Sequence, residues 1–340
     1  MSTSLLSFRL CCVAILASAS AAFAQVAPAT PKPSLTAPAA AGDKNKPWPF
    51  SKPAAGASKT TSPGAAAVLP TAPPPREVPL VEKAFEQLTS QEVSDYGKKA
   101  LAINALKWKH AETENFLLHY RRATEAQKVA REVEYDLYYI ATTLGATKER
   151  YSRKSHVYVF EDEDEWKQFL AILSVPKWSA SFARGDELYL NVRREGGGFG
   201  SQTLAHETSH AVVARLFPGK RWPLWLNEGF AEYMGGASIA ARKGQSVKRF
   251  QGRLEMAEMP LSTLESLTDY PSDNDAVGQL YQSSEKFIRF LMNELPKDRI
   301  VAFIDAILAG KKMQEAVLEV YGDKLKDWDA FTKRYERFSK

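Results

Sequence analysis

The spacing of apolar residues along the chain predicts where regular secondary structure lies. Between residues 124 and 144, apolar side chains recur every three to four positions and Gly145 follows, which is typical of an amphipathic helix. A shorter helix is predicted for residues 164–173. Apolar runs that alternate with these helices predict three strands: residues 114–120, 157–160 and 187–192. The pattern therefore predicts a small sheet that is combined with helices.

The segments on either side of this sheet predict helices as well. Residues 81–107 show a weakly patterned helical signal. Beyond about residue 237 only helices are predicted: one apolar face runs from Val277 to Leu291, and Pro296 marks the end of that helix. The fold expected from these elements is α+β, with a small mixed α/β lobe followed by an all-helical lobe.

The first 24 residues have the features of a secretory signal peptide. Arg9 precedes an apolar run over residues 10–17, and Ala22-Phe23-Ala24 fits a signal peptidase site. The run is too short to span a bilayer, although an uncleaved anchor is the alternative. Both cysteines lie inside this segment, so the mature chain is expected to have no thiol. Once the segment is removed, the mature chain is also expected to have no transmembrane segment. Export to the bacterial periplasm or the extracellular space is predicted.

Residues 25–79 are predicted to be a disordered linker rich in Pro, Ala and Lys. Residues 25–76 contain six basic residues and one acidic residue, so this segment has a net charge of +5, the same as that of the whole chain. The globular part, residues 80–340, is therefore close to neutral, and we expect no nucleic-acid partner. Contact of the basic linker with anionic cell-envelope polymers is expected. Trp48-Pro49-Phe50 is either a chance aromatic cluster or a docking motif.

The candidate chemistry lies in the pentapeptide HETSH, which begins at His206. On a helix His206 and His210 share one face and can bind a single metal ion, while Glu207 lies close enough to hold a metal-bound water. Further along the chain, NEGFAEY predicts a second helix with Asn227 as its N-cap. A catalytic Zn²⁺ takes three protein ligands and keeps one open position, and we predict Glu228 as the third ligand.

HETSH followed by WLNEGFAEY resembles the gluzincin zinc metallopeptidases of the MA superfamily. The likeness is to the bacterial peptidase MA-like branch, which is related to thermolysin and aminopeptidase N. It implies a zincin fold with the zinc site between the two lobes and Glu228 as a ligand. It also implies that Glu232 orients a ligand histidine, and that Tyr281, which matches a Y-x-x-[GS] element, stabilises the tetrahedral intermediate. For Tyr281 a packing role in the core is the alternative.

The same resemblance implies a substrate-binding strand just before the helix that carries His206 and His210. In gluzincins this strand lies at the edge of the sheet and pairs with the backbone of an extended substrate. The alternative for this chain is an edge strand that binds no substrate. The residues in the matching position are Leu188, Tyr189, Leu190 and Asn191. The glycine-rich residues 196–200 that follow are expected to form a hinge rather than a phosphate-binding loop, because no Walker lysine follows them.

Departures from the family pattern narrow the expected function. The G-x-M-E-N motif with which aminopeptidases hold a free amine is absent, which favours an endopeptidase that acts on proteins or peptides. Leu216 stands where metzincins have a third histidine. The alternatives are a non-catalytic envelope protein that keeps the fold and the metal, and a zinc hydrolase of cell-wall amides. The other histidines lack metal spacing and are expected to be structural or exposed: His110, His119 and His156.

Overall fold

The computed structural model describes residues 77–173, 180–193, 200–245 and 257–338. The predicted signal peptide, nearly all of the predicted linker and glycines 196–198 lie outside the described residues, so these remain predictions. All described residues belong to one structural unit. Among the helices in these ranges, none is both long enough and apolar enough to cross a membrane.

Six strands form one mixed sheet in the order β1-β2-β3-β4-β6-β5. The three neighbours β3, β4 and β6 run parallel, and the outer strands on both sides pair antiparallel. The strands are Val81–Lys83 (β1), Lys109–Glu112 (β2), Phe116–Tyr120 (β3), Ser155–Phe160 (β4), Ser181–Arg184 (β5) and Glu187–Asn191 (β6).

Ten α-helices cover the sheet or follow it in the described part of the chain. They are Asp95–Ala102 (α1), Ala123–Thr143 (α2), Glu163–Leu173 (α3), Ser201–Leu216 (α4), Leu224–Arg242 (α5), Leu261–Ser266 (α6), Asn274–Glu294 (α7), Ile300–Leu308 (α8), Met313–Tyr321 (α9) and Trp328–Phe338 (α10). Helix α5 packs against both α4 and α7, and α2 packs against α4. The predicted α+β fold is confirmed.

Alternation along the strands gives the sheet two different faces. One face carries aliphatic and aromatic side chains such as Leu118, Val159 and Leu190, and they join the main core together with α2, α4 and α5. The opposite face carries mostly aromatic rings, including Tyr158 and Tyr189, and packs against α1 and α3. The core on the α4 side of the sheet is therefore larger than the core on the opposite face.

The prediction that β6 is the edge strand is wrong. Residues Leu188 to Asn191 pair with β4 on one side, and β6 pairs with β5 on the other. Their backbone groups are therefore used within the sheet and cannot pair with a substrate. The cause is a tight hairpin: Gly185, at φ 59°, turns the chain so that β5 covers the free side of β6. The edge strand on this side of the sheet is β5.

The pattern of apolar residues did not predict three of the strands, namely β1, β2 and β5. The segment 81–107, predicted as helical, holds β1, two short 3₁₀ turns and only one α-helix, α1. Strands β1 and β5 have three and four residues, too few for a hydrophobic alternation to be recognised. Tertiary pairing with β2 and β6, rather than a local pattern, defines these two strands.

A chain of histidines crosses the aromatic face of the sheet. His110 and His119 are cross-strand neighbours whose Nδ1 atoms are 2.8 Å apart, and His119 Nε2 is 2.9 Å from His156 Nδ1. The His119 ring stacks on Tyr158, which stacks on Tyr189 with ring centroids 4.8 Å apart. Burial lowers the pKa of all three histidines below the usual 6.5, so the folded chain favours their neutral forms.

We predict that this histidine chain makes stability fall at acid pH. A histidine with a lowered pKa in the folded state contributes stability that is complete above its unfolded pKa of about 6.5 and is lost as the pH falls below it. His119→Phe keeps a flat ring but removes the fully buried imidazole. Its loss of unfolding free energy between pH 7.5 and pH 5.0, measured by urea denaturation, should be smaller than the wild type's by about 1–2 kcal/mol. Equal losses in both proteins would contradict the prediction.

Candidate metal centre

Helices α4 and α5 bring the three predicted ligands together. His206 and His210 lie one turn apart on α4, with their Nε2 atoms 3.0 Å apart. Glu228, near the start of α5, places Oε2 3.5 Å from each of these nitrogens. These three residues form a cluster that could hold a metal ion, with one ligand atom from each. Their roles as zinc ligands stay predictions.

The size and chemistry of this cluster fit zinc. Ligands at the usual zinc distances of about 2.0–2.1 Å in a tetrahedral site are separated by roughly 3.3 Å, and the observed separations are 3.0 and 3.5 Å. Glu228 Oε2 is buried and has no hydrogen-bond partner. A buried carboxylate oxygen of this kind is costly unless a cation faces it. Two imidazoles and one carboxylate are a known catalytic zinc set.

The charges of these groups are strongly coupled. Burial alone would raise the pKa of Glu228, but the two histidines lower it, so the carboxylate is ionised. Burial opposes protonation of His206, yet the close carboxylates of Glu228 and Glu232 raise its pKa well above the usual value. The site therefore favours one negative charge next to a positive one. A divalent cation would satisfy the same preference.

Two glycines of α5 permit the close packing of the helices around this cluster. A Cβ atom on Gly235 would lie 3.2 Å from the backbone nitrogen of His206, and one on Gly229 would lie 2.4 Å from the carbonyl oxygen of Ser284. Gly235 thus faces α4 and Gly229 faces α7. The glycine of the NEG sequence is explained by this contact, which lets α7 cross α5 next to Glu228.

The start of α5 differs from the prediction. The N-cap is Pro223 and the helix begins at Leu224, so Asn227 is not the cap but lies in the first turn. Proline is well suited to a helix start because it has no N–H group to satisfy and a fixed φ. The Asn227 side chain is used differently: its Nδ2 donates a hydrogen bond to Glu228 Oε1 at 3.2 Å.

Glu232 lies one turn beyond Glu228, as the spacing predicted. Its Oε1 is 3.2 Å from Nδ1 of His206, the ring nitrogen that faces away from the ligand cluster. A carboxylate in this position can hold the proton on Nδ1 and so leave Nε2 free to bind a metal. The geometry fits the predicted orienting role, which stays a prediction.

Glu207 directly follows His206 on α4, and its side chain contacts the edge strand β5. Its Oε2 accepts a hydrogen bond from the backbone N–H of Ala183 at 3.0 Å, and its Oε1 accepts one from Ser181 Oγ at 3.3 Å. Burial raises the pKa of Glu207, which makes it a stronger base than an exposed glutamate. The sequence had not singled out Ser181 and Ala183, because a short strand of small residues carries no recognisable motif.

Two tyrosines face the ligand cluster. Tyr281, on α7, is buried, and its ring centroid is 6.1 Å from that of His206 in a stacked arrangement. Tyr270, in the segment between α6 and α7, stacks on Tyr281, and its hydroxyl donates a hydrogen bond to Glu228 Oε1 at 2.6 Å. Tyr270 was missed from the sequence, since a single aromatic residue in an irregular segment gives no periodic signal.

The fold and this cluster define a metallopeptidase-like protein: two histidines one turn apart on a buried helix, and a glutamate from the next helix. A family model described as the Peptidase MA superfamily matches residues 140–336, a range that includes the whole cluster. The chain therefore belongs to the Peptidase MA superfamily, and this part of the prediction is confirmed. No curated protein and no solved structure matches the chain.

We predict that Gly229→Ala destabilises the protein, because its new Cβ would press on the backbone of α7. Overpacking of this kind costs about 1–3 kcal/mol, which exceeds the helix propensity that alanine adds. The matched control is Gly235→Ala on the same helix, where the nearest atom is 3.2 Å away and a smaller loss is expected. Urea denaturation measures both variants. A Gly229→Ala protein at least as stable as the wild type would contradict the predicted contact.

Proposed function

We propose that the chain is an exported, zinc-dependent endopeptidase of the gluzincin branch that hydrolyses peptide bonds in proteins or peptides. The observation that carries the proposal is the arrangement of four side chains at one place. His206, His210 and Glu228 converge on a point, and Glu207 is fixed beside them by the edge strand. Zinc held by these three residues would act as a Lewis acid and would lower the pKa of a bound water to near 7.

Glu207 is the general base in this proposal. It follows His206 directly in the chain, and its hydrogen bond with Ala183 fixes the carboxylate next to the ligand cluster. From this position Glu207 takes a proton from the attacking water and passes it to the leaving amine. A purely structural metal site needs no base, which is the argument against the non-catalytic alternative. We propose that the Tyr281 hydroxyl donates a hydrogen bond to the developing oxyanion.

The substrate is proposed to bind along β5 rather than β6. In the described part of the chain β5 pairs with no strand other than β6, so outer backbone groups of β5 other than the Ala183 N–H, which donates to Glu207, could pair with an extended peptide. The same strand contacts Glu207 through Ser181 and Ala183. A peptide paired with β5 would therefore lie next to the general base. Export and contact of residues 25–79 with the envelope remain part of the proposal.

The test is the activity of Glu207→Gln against casein and against the envelope proteins of the source bacterium. Because glutamine has nearly the same shape but no basic oxygen, we expect zinc binding to persist while kcat/KM falls by about 10²–10⁴-fold. New N-termini produced by the wild type and absent with the variant identify the substrate. Equal cleavage by both proteins that is insensitive to chelator would contradict the proposal. Cleavage confined to purified peptidoglycan would favour a cell-wall amide hydrolase instead.

A further inference from the structure

The two carboxylate oxygens of Glu228 have different surroundings. Oε2 faces the histidine pair and accepts no hydrogen bond. Oε1 accepts a hydrogen bond from the Tyr270 hydroxyl at 2.6 Å and one from Asn227 Nδ2 at 3.2 Å. Both donors act on the oxygen that the histidines do not face.

This asymmetry matters because a carboxylate can bind a metal through one oxygen or through both. Binding through both would bring Oε1 toward the metal and occupy the position that a catalytic site keeps open. Two hydrogen bonds to Oε1 oppose that movement, since a partly buried donor that loses its acceptor costs free energy. The short bond from Tyr270 is the stronger constraint of the two.

We propose that Tyr270 is a positioning residue that holds Oε1 of Glu228 so that the carboxylate faces the metal with Oε2 alone. The proposal rests on the proposed function of the same site, because it takes the histidine pair and Glu228 to be metal ligands. Tyr270 acts here through Glu228 and is assigned no contact with the substrate.

The packing of Tyr270 supports a fixed position for its hydroxyl. Its ring stacks on Tyr281 with centroids 6.4 Å apart, and Tyr281 stacks in turn on His206. The segment that carries Tyr270 joins α7 through Asp273, whose side chain caps that helix by accepting a hydrogen bond from the Ala276 N–H at 2.8 Å. Tyr270 is therefore packed against a neighbour that itself contacts a predicted ligand.

The experiment compares wild type, Tyr270→Phe and Tyr233→Phe in the full chain, with metal binding measured without any substrate and cleavage of casein measured separately. Tyr270→Phe keeps the stacked ring and removes only the hydroxyl. Tyr233 is a matched control, because it lies on the same helix as Glu228, is buried, and its hydroxyl contacts Asn293 at 3.4 Å instead of a ligand. Zinc affinity is measured by competition with a chelator. The visible spectrum of the cobalt(II)-loaded protein reports coordination number, because its bands weaken as ligands are added.

For Tyr270→Phe we expect zinc affinity to fall by about 10–100-fold, as for other residues that orient metal ligands. We also expect weaker cobalt bands, since the released carboxylate can bind through both oxygens. Tyr233→Phe should match the wild type in both readouts. Asn227→Ala should shift the spectrum in the same direction by a smaller amount, which provides a second test if Tyr270→Phe folds poorly by circular dichroism.

Two results would overturn the positioning role. One is a Tyr270→Phe protein with wild-type affinity and a wild-type cobalt spectrum. The other is an unchanged spectrum together with reduced peptide cleavage, which would place the Tyr270 hydroxyl on the substrate instead. Failure of the proposed function looks different: the wild type would bind zinc and cobalt normally but would cleave no peptide bond.

Discussion

The contact on which the rest of the structure depends is the one between the Glu228 carboxylate and the two imidazoles of α4. A fully buried carboxylate carries a desolvation penalty of several kcal/mol and needs an opposite charge close by. Here that charge comes from His206, whose pKa the neighbouring carboxylates raise well above its usual value, or from a cation that replaces its proton. The sequence meets this need by packing two helices so closely that Gly235 of α5 contacts the α4 backbone.

Neighbouring elements are arranged around the same contact. Helix α7 crosses α5 at Gly229 and places Tyr281 against His206, while β5 approaches from the sheet and binds Glu207. Strand β5 also joins the two faces of the sheet. Its Ser181 and Ala183 contact Glu207, whereas Phe182 stacks on Tyr189 at the end of the row of rings that begins with His110. The histidine chain and the metal centre are thus connected through one short strand.

The parts of the site that were predicted from sequence are those with local spacing. His206, Glu207 and His210 were predicted from their spacing on one helix, and Glu228 was predicted as the third ligand from the ligand sets of catalytic zinc. The family resemblance added the roles of Glu232 and Tyr281, which stay predictions, and the superfamily, which is confirmed. Central strands β3, β4 and β6 were predicted because buried parallel strands are nearly continuous apolar runs.

The features missed by the sequence depend on contacts between distant segments. Strand β5 pairs with β6 because the chain turns at Gly185 between them. The prediction took β6 instead of β5 as the edge strand and therefore placed the substrate contact on Leu188–Asn191. The bond from Tyr270 to Glu228 joins a loop to a helix far away in the chain. The histidine chain needs the cross-strand register of β2, β3 and β4, which no local pattern encodes.

X-ray absorption at the zinc edge, on the purified chain loaded with one equivalent of zinc, tests the central claim most directly. Two imidazole nitrogens and a carboxylate oxygen at about 2.0–2.1 Å are expected, and the carboxylate contribution should be lost in Glu228→Ala. A spectrum of fully hydrated zinc, or one with no imidazole contribution, would contradict a metal centre built from His206, His210 and Glu228.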